Sequence, residues 1–140
     1  MQTDTPAQVR FSWRALNRFQ KWAIAAVIVT YLLILIGGFV RAAGAGLGCP
    51  DWPKCFGYWL PPSEASQIQA KGFDPALFNP SLMWIEYINR IAGVLTGFFI
   101  LVTTYLAVRH YRKVPRVFWS TVIAFVLTLF QGWLGGQVVA

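Results

Sequence analysis

Three long apolar stretches, separated by polar segments, dominate the pattern of this chain. Residues 22–40, 91–108 and 117–140 each contain no charged side chain. A transmembrane α-helix needs about 20 consecutive apolar residues, so each stretch is long enough to cross the hydrocarbon core of a membrane. The pattern predicts an all-α integral membrane protein with three transmembrane helices, at about residues 22–40, 80–108 and 117–138.

The second helix is predicted to begin before its apolar stretch. Asn79 is a suitable N-cap residue, and Pro80 suits the first position of a helix. Helical spacing then places Glu86, Asn89 and Arg90 on one face near the membrane boundary. Two interpretations fit: the acid and the base neutralise each other near the lipid headgroups, or the face forms a polar site inside a helix bundle. Ionisable groups at membrane depth favour the second interpretation.

Composition and charge agree with a membrane protein. Of the 140 residues, 56% are hydrophobic and 12% are charged, and the net charge is +7. Eight of the twelve basic residues lie in the tail (1–21) and in the turn at 109–116, so both segments are predicted to be cytoplasmic and the loop at 41–79 to lie outside. This distribution argues against nucleic acid as a partner. The cations of the tail recur at helical spacing, which fits an interfacial helix on an anionic leaflet or a simple topology anchor: Arg10, Arg14, Arg18 and Lys21.

The outer loop at 41–79 contains both cysteines of the chain. Its part from 44 to 62 is too rich in glycine and proline to be helical. Cys49 and Cys55 have five residues between them and face the oxidising side of the membrane in the predicted topology. A structural disulfide is favoured, with a redox-active pair and a metal-binding pair as alternatives. No histidine lies nearby to complete a metal site, so no metal is predicted.

Glycines recur four residues apart in the second and third apolar stretches. Gly93 and Gly97 form one pair, and Gly132 and Gly136 form the other. This spacing allows two helices to approach closely. A flat ligand lying against the helix backbone is the alternative interpretation.

Three segments of the chain resemble the heme A synthase family. They are residues 37–57 (GGFVRAAGAGLGCPDWPKCFG), 85–90 (IEYINR) and 131–135 (QGWLG). A glycine and cysteine loop followed by a Glu-x-x-x-Arg helix entrance is far more specific than either motif alone. The resemblance extends over nearly the whole chain after residue 22.

The resemblance implies an eight-helix membrane enzyme made of two similar four-helix halves. Such an enzyme oxidises the C8 methyl group of heme O to the formyl group of heme A. A heme b cofactor bound by a histidine pair in one half is implied as well, and the other half serves the substrate heme. The implied setting is a bacterial plasma (inner) membrane, with the mitochondrial inner membrane as an alternative. The implied protein partners are heme O synthase, oxidase assembly factors or a second copy of the chain.

The resemblance also assigns roles to individual residues. Glu86 corresponds to the carboxylate beside the substrate heme that the oxidation needs, and Arg90 is a suitable partner for a heme propionate. Cys49 and Cys55 match the outer-loop cysteines of the family, which are often joined by a disulfide. Asn89 stands where the family usually has histidine, and an amide is a poor ligand for heme iron. Asn89 and Arg90 are both expected in the vicinity of the heme.

Two features of the sequence limit what this chain supplies. Its single histidine, His110, lies in the basic turn on the opposite side from Glu86, so a solvated or lipid-facing role is expected for it. The sequence ends at Ala140, before a fourth helix. We therefore expect the amino-terminal part of a heme A synthase-type oxidoreductase. The alternative is a non-catalytic membrane protein that binds heme or assists oxidase assembly.

Overall fold

The computed structural model describes residues 12–139 and the side chains of residues 12–138. It contains three long helices, α1 (Arg18–Ala42), α3 (Pro80–His110) and α4 (Pro115–Val139), and a short helix α2 (Ala65–Ala70) between α1 and α3. All three long helices have the length and apolar composition needed to cross a membrane. No β-strand occurs among the described residues, so the predicted all-α class with three spanning helices is confirmed.

Helix α3 is the central helix, because it packs against both α1 and α4. The hydroxyl of Thr96 in α3 donates to the carbonyl oxygen of Val29 in α1 at 3.5 Å. The hydroxyl of Thr104, two turns further along α3, donates to the carbonyl oxygen of Thr121 in α4 at 3.3 Å. Small hydroxyl side chains of this kind bring helices together in an apolar environment.

Helix α1 begins before the predicted start at residue 22, because Asn17 and Gln20 form a capping box. The Asn17 side chain accepts from the Gln20 amide at 2.9 Å, and the Gln20 side chain accepts from the Asn17 amide at 3.0 Å. Arg18 and Lys21 therefore belong to α1 and not to the tail. Between residues 12 and 17 there is only a single 3-10 turn, so these residues do not extend an interfacial helix. Arg10 lies outside the described residues.

The start of α1 is attached to the turn between α3 and α4. The Asn17 amide group donates to the Tyr111 hydroxyl at 2.9 Å. The Phe19 ring lies 4.7 Å from the Tyr111 ring, measured between centroids. These contacts bring the basic residues of both segments to one end of the molecule, which we call the basic end: Arg14, Arg18, Lys21, Arg109, Arg112, Lys113 and Arg116.

The segment between α1 and α3, the connecting loop (residues 43–79), lies at the other end and contains most of the tightly buried core. The side chains with almost no exposed surface there form one cluster with the start of α3: Cys49, Cys55, Phe56, Ile68 and Met83. Helix α2 was not predicted, and it begins at a second capping box, formed by Glu64 and Gln67. It contributes Ile68 to the cluster. The connecting loop is therefore a folded cap over the helix ends.

The connecting loop touches the helices at two glycines, and at Gly48 the approach is too close for any side chain. A Cβ atom at Gly48 would lie 2.6 Å from the carbonyl oxygen of Leu82 in α3, so only glycine fits there. A Cβ atom at Gly136 in α4 would lie 3.6 Å from the Trp52 ring, which covers this part of the helix. The predicted close helix packing at Gly93, Gly97 and Gly132 is not observed, because a Cβ atom there would meet no atom of the described residues within 4 Å.

Gly48→Ala should destabilise the contact between the connecting loop and α3. The added methyl group meets backbone atoms that cannot move independently, and overpacking of this kind costs about 1–3 kcal/mol. The measurement is the unfolding temperature of the detergent-solubilised protein, followed by tryptophan fluorescence. Gly46→Ala is the matched control, since a Cβ atom there has nothing within 4 Å. Equal unfolding temperatures for the two variants would contradict the proposed close contact.

Candidate functional site

The site is centred on Glu86, whose carboxylate lies where the first turns of α3 meet the connecting loop. Only 4% of the residue is exposed. Its Oε1 atom pairs with the Arg90 guanidinium one turn further along α3, and its Oε2 atom accepts from the Cys49 amide at 2.8 Å. A buried carboxylate keeps its charge only when it is paired and hydrogen-bonded in this way. The acid and base that were predicted to share one face of the helix therefore form an ion pair.

Arg90 uses all five of its N–H donors, which is the full capacity of a guanidinium group. Its Nε and one Nη2 hydrogen bond go to Glu86 Oε1. Three more hydrogen bonds go to carbonyl oxygens of the connecting loop: Cys49 at 3.1 Å, Asp51 at 2.7 Å and Lys54 at 2.6 Å. In this conformation no donor is left for a heme propionate. Arg90 therefore joins the loop backbone to Glu86.

Cys49 and Cys55 form a disulfide, as the sequence favoured. We call residues 49–55 the disulfide ring. The Asp51 carboxylate, which belongs to this ring, binds the turn that follows it: it accepts from the Phe56 amide and, at 2.8 Å, from the Gly57 amide. Phe56 has φ of 52° and Gly57 has φ of 78°, and the two Asp51 hydrogen bonds hold this left-handed turn.

Asn89 lies on the same face of α3 but faces α1. Its Oδ1 atom is buried and has no hydrogen-bond partner among residues 12–139. The nearest feature of α1 is Gly37, where an added Cβ atom would lie 3.7 Å from Asn89 Oδ1. An unsatisfied buried oxygen of this kind is unusual, because most buried polar atoms have a hydrogen-bond partner in the protein or in ordered water.

His110 is at the opposite end of α3 from Glu86. Its Nδ1 atom lies 3.2 Å from the Leu106 carbonyl oxygen, and the side chain is exposed. Within the described part of the chain there is no cluster of three or more histidine, cysteine, aspartate or glutamate residues that would hold a metal ion. The histidine and the site are therefore separate, as the sequence predicted.

Below Glu86 the same face of α3 is open. Gly93 and Gly97 follow Glu86 at helical spacing and have no neighbour within 4 Å of an added Cβ atom. Ile100 and Thr104 continue this face into a cleft of about 620 Å³ between α1 and α4. The cleft is lined mainly by small and hydroxyl side chains: Ala23, Ala26, Thr30, Thr103, Ser120, Thr121, Ala124 and Thr128. Glu86 thus lies at the head of an open, smooth helix face.

The three carbonyl contacts of Arg90 and the role of Asp51 were not predicted. Backbone carbonyl groups have no sequence signature, so an arginine that binds them cannot be distinguished from one that only pairs with an acid. Asp51 carries a weak signal, because an aspartate before a glycine-containing turn commonly accepts from nearby backbone amides.

Comparison with known proteins identifies relatives of this chain. Residues 20–140 match the family model of the cytochrome oxidase assembly protein, COX15-CtaA. Heme A synthase of Bacillus cereus (strain G9842) is 30% identical over 112 residues, which is 80% of this chain and 31% of the relative. Heme A synthase of Bacillus anthracis (strain CDC 684 / NRRL 3495) is 31% identical over the same shares.

The chain spans about a third of the length of the curated relatives it matches, 31% in each case given above. No solved structure is significantly similar to it. The family model matches most of the chain, from the first turn of α1 through α4. This chain therefore belongs to the cytochrome oxidase assembly protein family, COX15-CtaA, and its matching relatives are heme A synthases.

Proposed function

We propose that this chain is the amino-terminal part of an oxidoreductase that converts the C8 methyl group of heme O to the formyl group of heme A. The observation that carries the proposal is the buried Glu86 carboxylate at the head of an open face of α3. The names of the relatives, heme A synthase, give the reaction class. The position of the Glu86 carboxylate is the reason for assigning this chain a part in that reaction.

The open face suits a flat, apolar substrate. Gly93 and Gly97 present bare backbone with open space beside it, so a flat ligand can approach α3 closely at these two positions. The cleft beyond them is about 620 Å³ and is lined by small residues. Binding sites for such ligands are mostly apolar, with few polar groups that fix the orientation. Glu86 and Asn89 are the polar groups at the head of this face.

Glu86 is the residue that we assign to the reaction. Conversion of a methyl group to a formyl group removes four electrons and adds one oxygen atom, which an oxidant and an oxygen source outside residues 12–139 would supply. Removal of electrons from a methyl carbon attached to an aromatic ring develops positive charge on that carbon, and a fixed carboxylate stabilises such charge in a low-dielectric site. Cys49 supplies one hydrogen bond to Oε2, and a carboxylate oxygen has two lone pairs, so Oε2 keeps one acceptor position. Arg90 and the Cys49 amide hold the carboxylate at a fixed position.

Arg90 is assigned as a positioning residue in the vicinity of the substrate. It fixes Glu86 from one side and binds three carbonyl oxygens of the connecting loop from the other. Because the loop and the carboxylate share this one guanidinium, movement of the loop would displace Glu86. The disulfide between Cys49 and Cys55 keeps the loop backbone in the shape that Arg90 binds.

The heme b cofactor implied by the family is not fitted by the residues of this face. Heme iron takes imidazole, thiolate, thioether or phenolate ligands, and Asn89 has only an amide. Both cysteines are in a disulfide, and His110 lies at the other end of α3. No step of the proposal depends on heme b.

The charge distribution supports an orientation in the membrane. The basic end would be cytoplasmic by the positive-inside rule, which places the amino terminus in the cytoplasm and the connecting loop outside. The disulfide would then lie on the oxidising side, where such bonds persist. The relatives come from bacteria, and a bacterial plasma (inner) membrane is the location we propose.

A second candidate function is a non-catalytic membrane protein that binds heme or assists oxidase assembly. The observation that favours it is Asn89, because an amide at this position supplies no iron ligand. The description of the matching family, cytochrome oxidase assembly protein, is compatible with this function. Heme O synthase, oxidase assembly factors and a second copy of the chain are the partners to be tested for either candidate.

Glu86→Gln should lower heme A formation by about 100-fold or more, because electrostatic stabilisation of a transition state is worth that much. Glutamine keeps the shape and one acceptor for the Cys49 amide, so heme binding should remain. The measurement is the heme A and heme O content of membranes that contain the protein as its host makes it. Glu64→Gln, a change at an exposed loop carboxylate, is the control. Unchanged heme A content would remove Glu86 from the reaction.

Arg90→Lys should loosen the connecting loop. Lysine has three donors, so at least two of the five hydrogen bonds are lost. Each charged hydrogen bond contributes about 1.5–3 kcal/mol, so reduction of the disulfide by a thiol reagent should become about 10-fold faster or more. Heme A formation should fall in parallel. Arg41→Lys, at an exposed arginine, is the control. A wild-type reduction rate in Arg90→Lys would show that the guanidinium does not hold the loop.

Asn89→His should introduce an iron ligand on the face of α3 that carries Glu86. When heme is added to the purified protein, this variant should show the absorption spectrum of imidazole-ligated heme, and the wild type should not. His110→Ala should leave both spectra unchanged. An imidazole-ligated spectrum in the wild type that His110→Ala abolishes would contradict the position that we assign to the ligand.

A further inference from the structure

Positive charge is concentrated at one end of the molecule. Among residues 12–139 the carboxylates are Asp51, Glu64, Asp74 and Glu86, and all lie in the connecting loop or the first turns of α3. The four basic residues of that half balance them: Arg41, Lys54, Lys71 and Arg90. The basic end, with seven cations, therefore has no carboxylate within the described residues. These cations need a counter-charge from outside this part of the chain.

A cleft lies on the lipid-facing side of the basic end. It has a volume of about 240 Å³ and is lined by Tyr105, Val108, Arg109 and Arg112. Tyr105, Val108 and Arg109 follow one another at helical spacing as one stripe along the last turns of α3, and Arg112 lies in the turn that follows the helix. In the described part of the chain neither guanidinium has a hydrogen-bond or ion-pair partner. The cleft thus has an apolar half within the span and a cationic half beyond it.

We propose that this cleft binds the headgroup of an anionic phospholipid. Two neighbouring guanidinium groups can bind the oxygens of one phosphate through paired hydrogen bonds. The apolar stretch of α3 ends at Val108, which puts both arginines at the level of the lipid headgroups. An acyl chain can then follow the exposed side chains that continue the stripe into the membrane, Tyr105 and Leu101. This inference does not depend on the proposed function.

The fold around the cleft is fixed, which favours a defined site over a diffuse attraction. Tyr111, between the two arginines, is held by the Asn17 side chain at 2.9 Å and by the Phe19 ring. The Tyr111 amide also donates to the Ala107 carbonyl oxygen at 2.8 Å, which closes the end of α3. The turn that carries Arg112 is therefore attached to α1 as well as to α3.

An anionic phospholipid is the occupant that best matches both halves of the cleft. A soluble phosphate compound would bind the arginines but would leave the apolar half of the cleft unfilled, where Tyr105 is 62% exposed. A zwitterionic phospholipid would fill the apolar half, but its headgroup carries its own cation beside the phosphate. Each basic residue near an anionic lipid surface contributes about 1 kcal/mol, so two arginines give a measurable preference.

Native mass spectrometry of the full-chain protein in detergent tests the proposal. The protein is incubated with phosphatidylglycerol or phosphatidylcholine that has the same acyl chains, and the bound lipids are counted. We expect about five-fold more phosphatidylglycerol or better on the wild type, from the energy per basic residue given above. In the double variant R109Q/R112Q this preference should disappear. Equal retention of the two lipids by the wild type would overturn the proposal.

The matched control is the double variant K113Q/R116Q, which removes the same charge from the end of the turn and the start of α4, outside the cleft. It should keep at least half of the preference for phosphatidylglycerol. An equal loss in both double variants would mean that the attraction is diffuse, and the proposal would fall. If R109Q/R112Q does not fold, R109K/R112K replaces it. This variant keeps both charges but cannot form paired hydrogen bonds, so an unchanged preference would likewise overturn the site.

Discussion

The guanidinium of Arg90 is the interaction on which the rest of the site depends. A cation at the entrance of a membrane-spanning helix is costly unless all its donors are satisfied, and here all five are used. Because three acceptors are backbone carbonyl oxygens, the loop must fold into one particular shape to supply them. The same side chain pairs with Glu86, so the shape of the loop and the position of the carboxylate are set together.

The tightly buried residues are distributed unevenly in this molecule, because its long helices are surrounded by lipid. The tightly buried residues lie in the cap that the connecting loop forms over the helix ends. There, Gly48 allows the backbone of the loop to touch that of α3. The long helices expose most of their apolar side chains, as helices surrounded by lipid do. The open face below Glu86 differs from the rest of the helix surface, because it presents glycine backbone instead of apolar side chains. It therefore leaves room for a flat molecule.

The two ends of the molecule have different electrostatic designs. In the connecting loop, the adjoining end of α1 and the start of α3, four cations and four carboxylates balance and are partly paired. The basic end has seven cations and no carboxylate among residues 12–139, so it carries an excess of positive charge. Charged side chains pair with each other at the site, whereas the excess positive charge of the basic end attracts the anionic lipid that we propose there. The hydrogen bond between Asn17 and Tyr111 holds the two basic segments of this end together.

The sequence by itself determined the fold class, the three spanning helices and the shared face of Glu86, Asn89 and Arg90. Apolar stretches and helical spacing are local properties, so they can be read without knowing what packs where. It also favoured the Cys49 to Cys55 bond, because these are the chain's only cysteines and the predicted topology places both on the oxidising side of the membrane. Only the tertiary structure decided that Arg90 binds loop carbonyl oxygens, that Asn89 Oδ1 lacks a partner, and that Gly93 and Gly97 face open space. These features depend on contacts between segments far apart in the chain, and backbone acceptors and empty space leave no mark on the sequence.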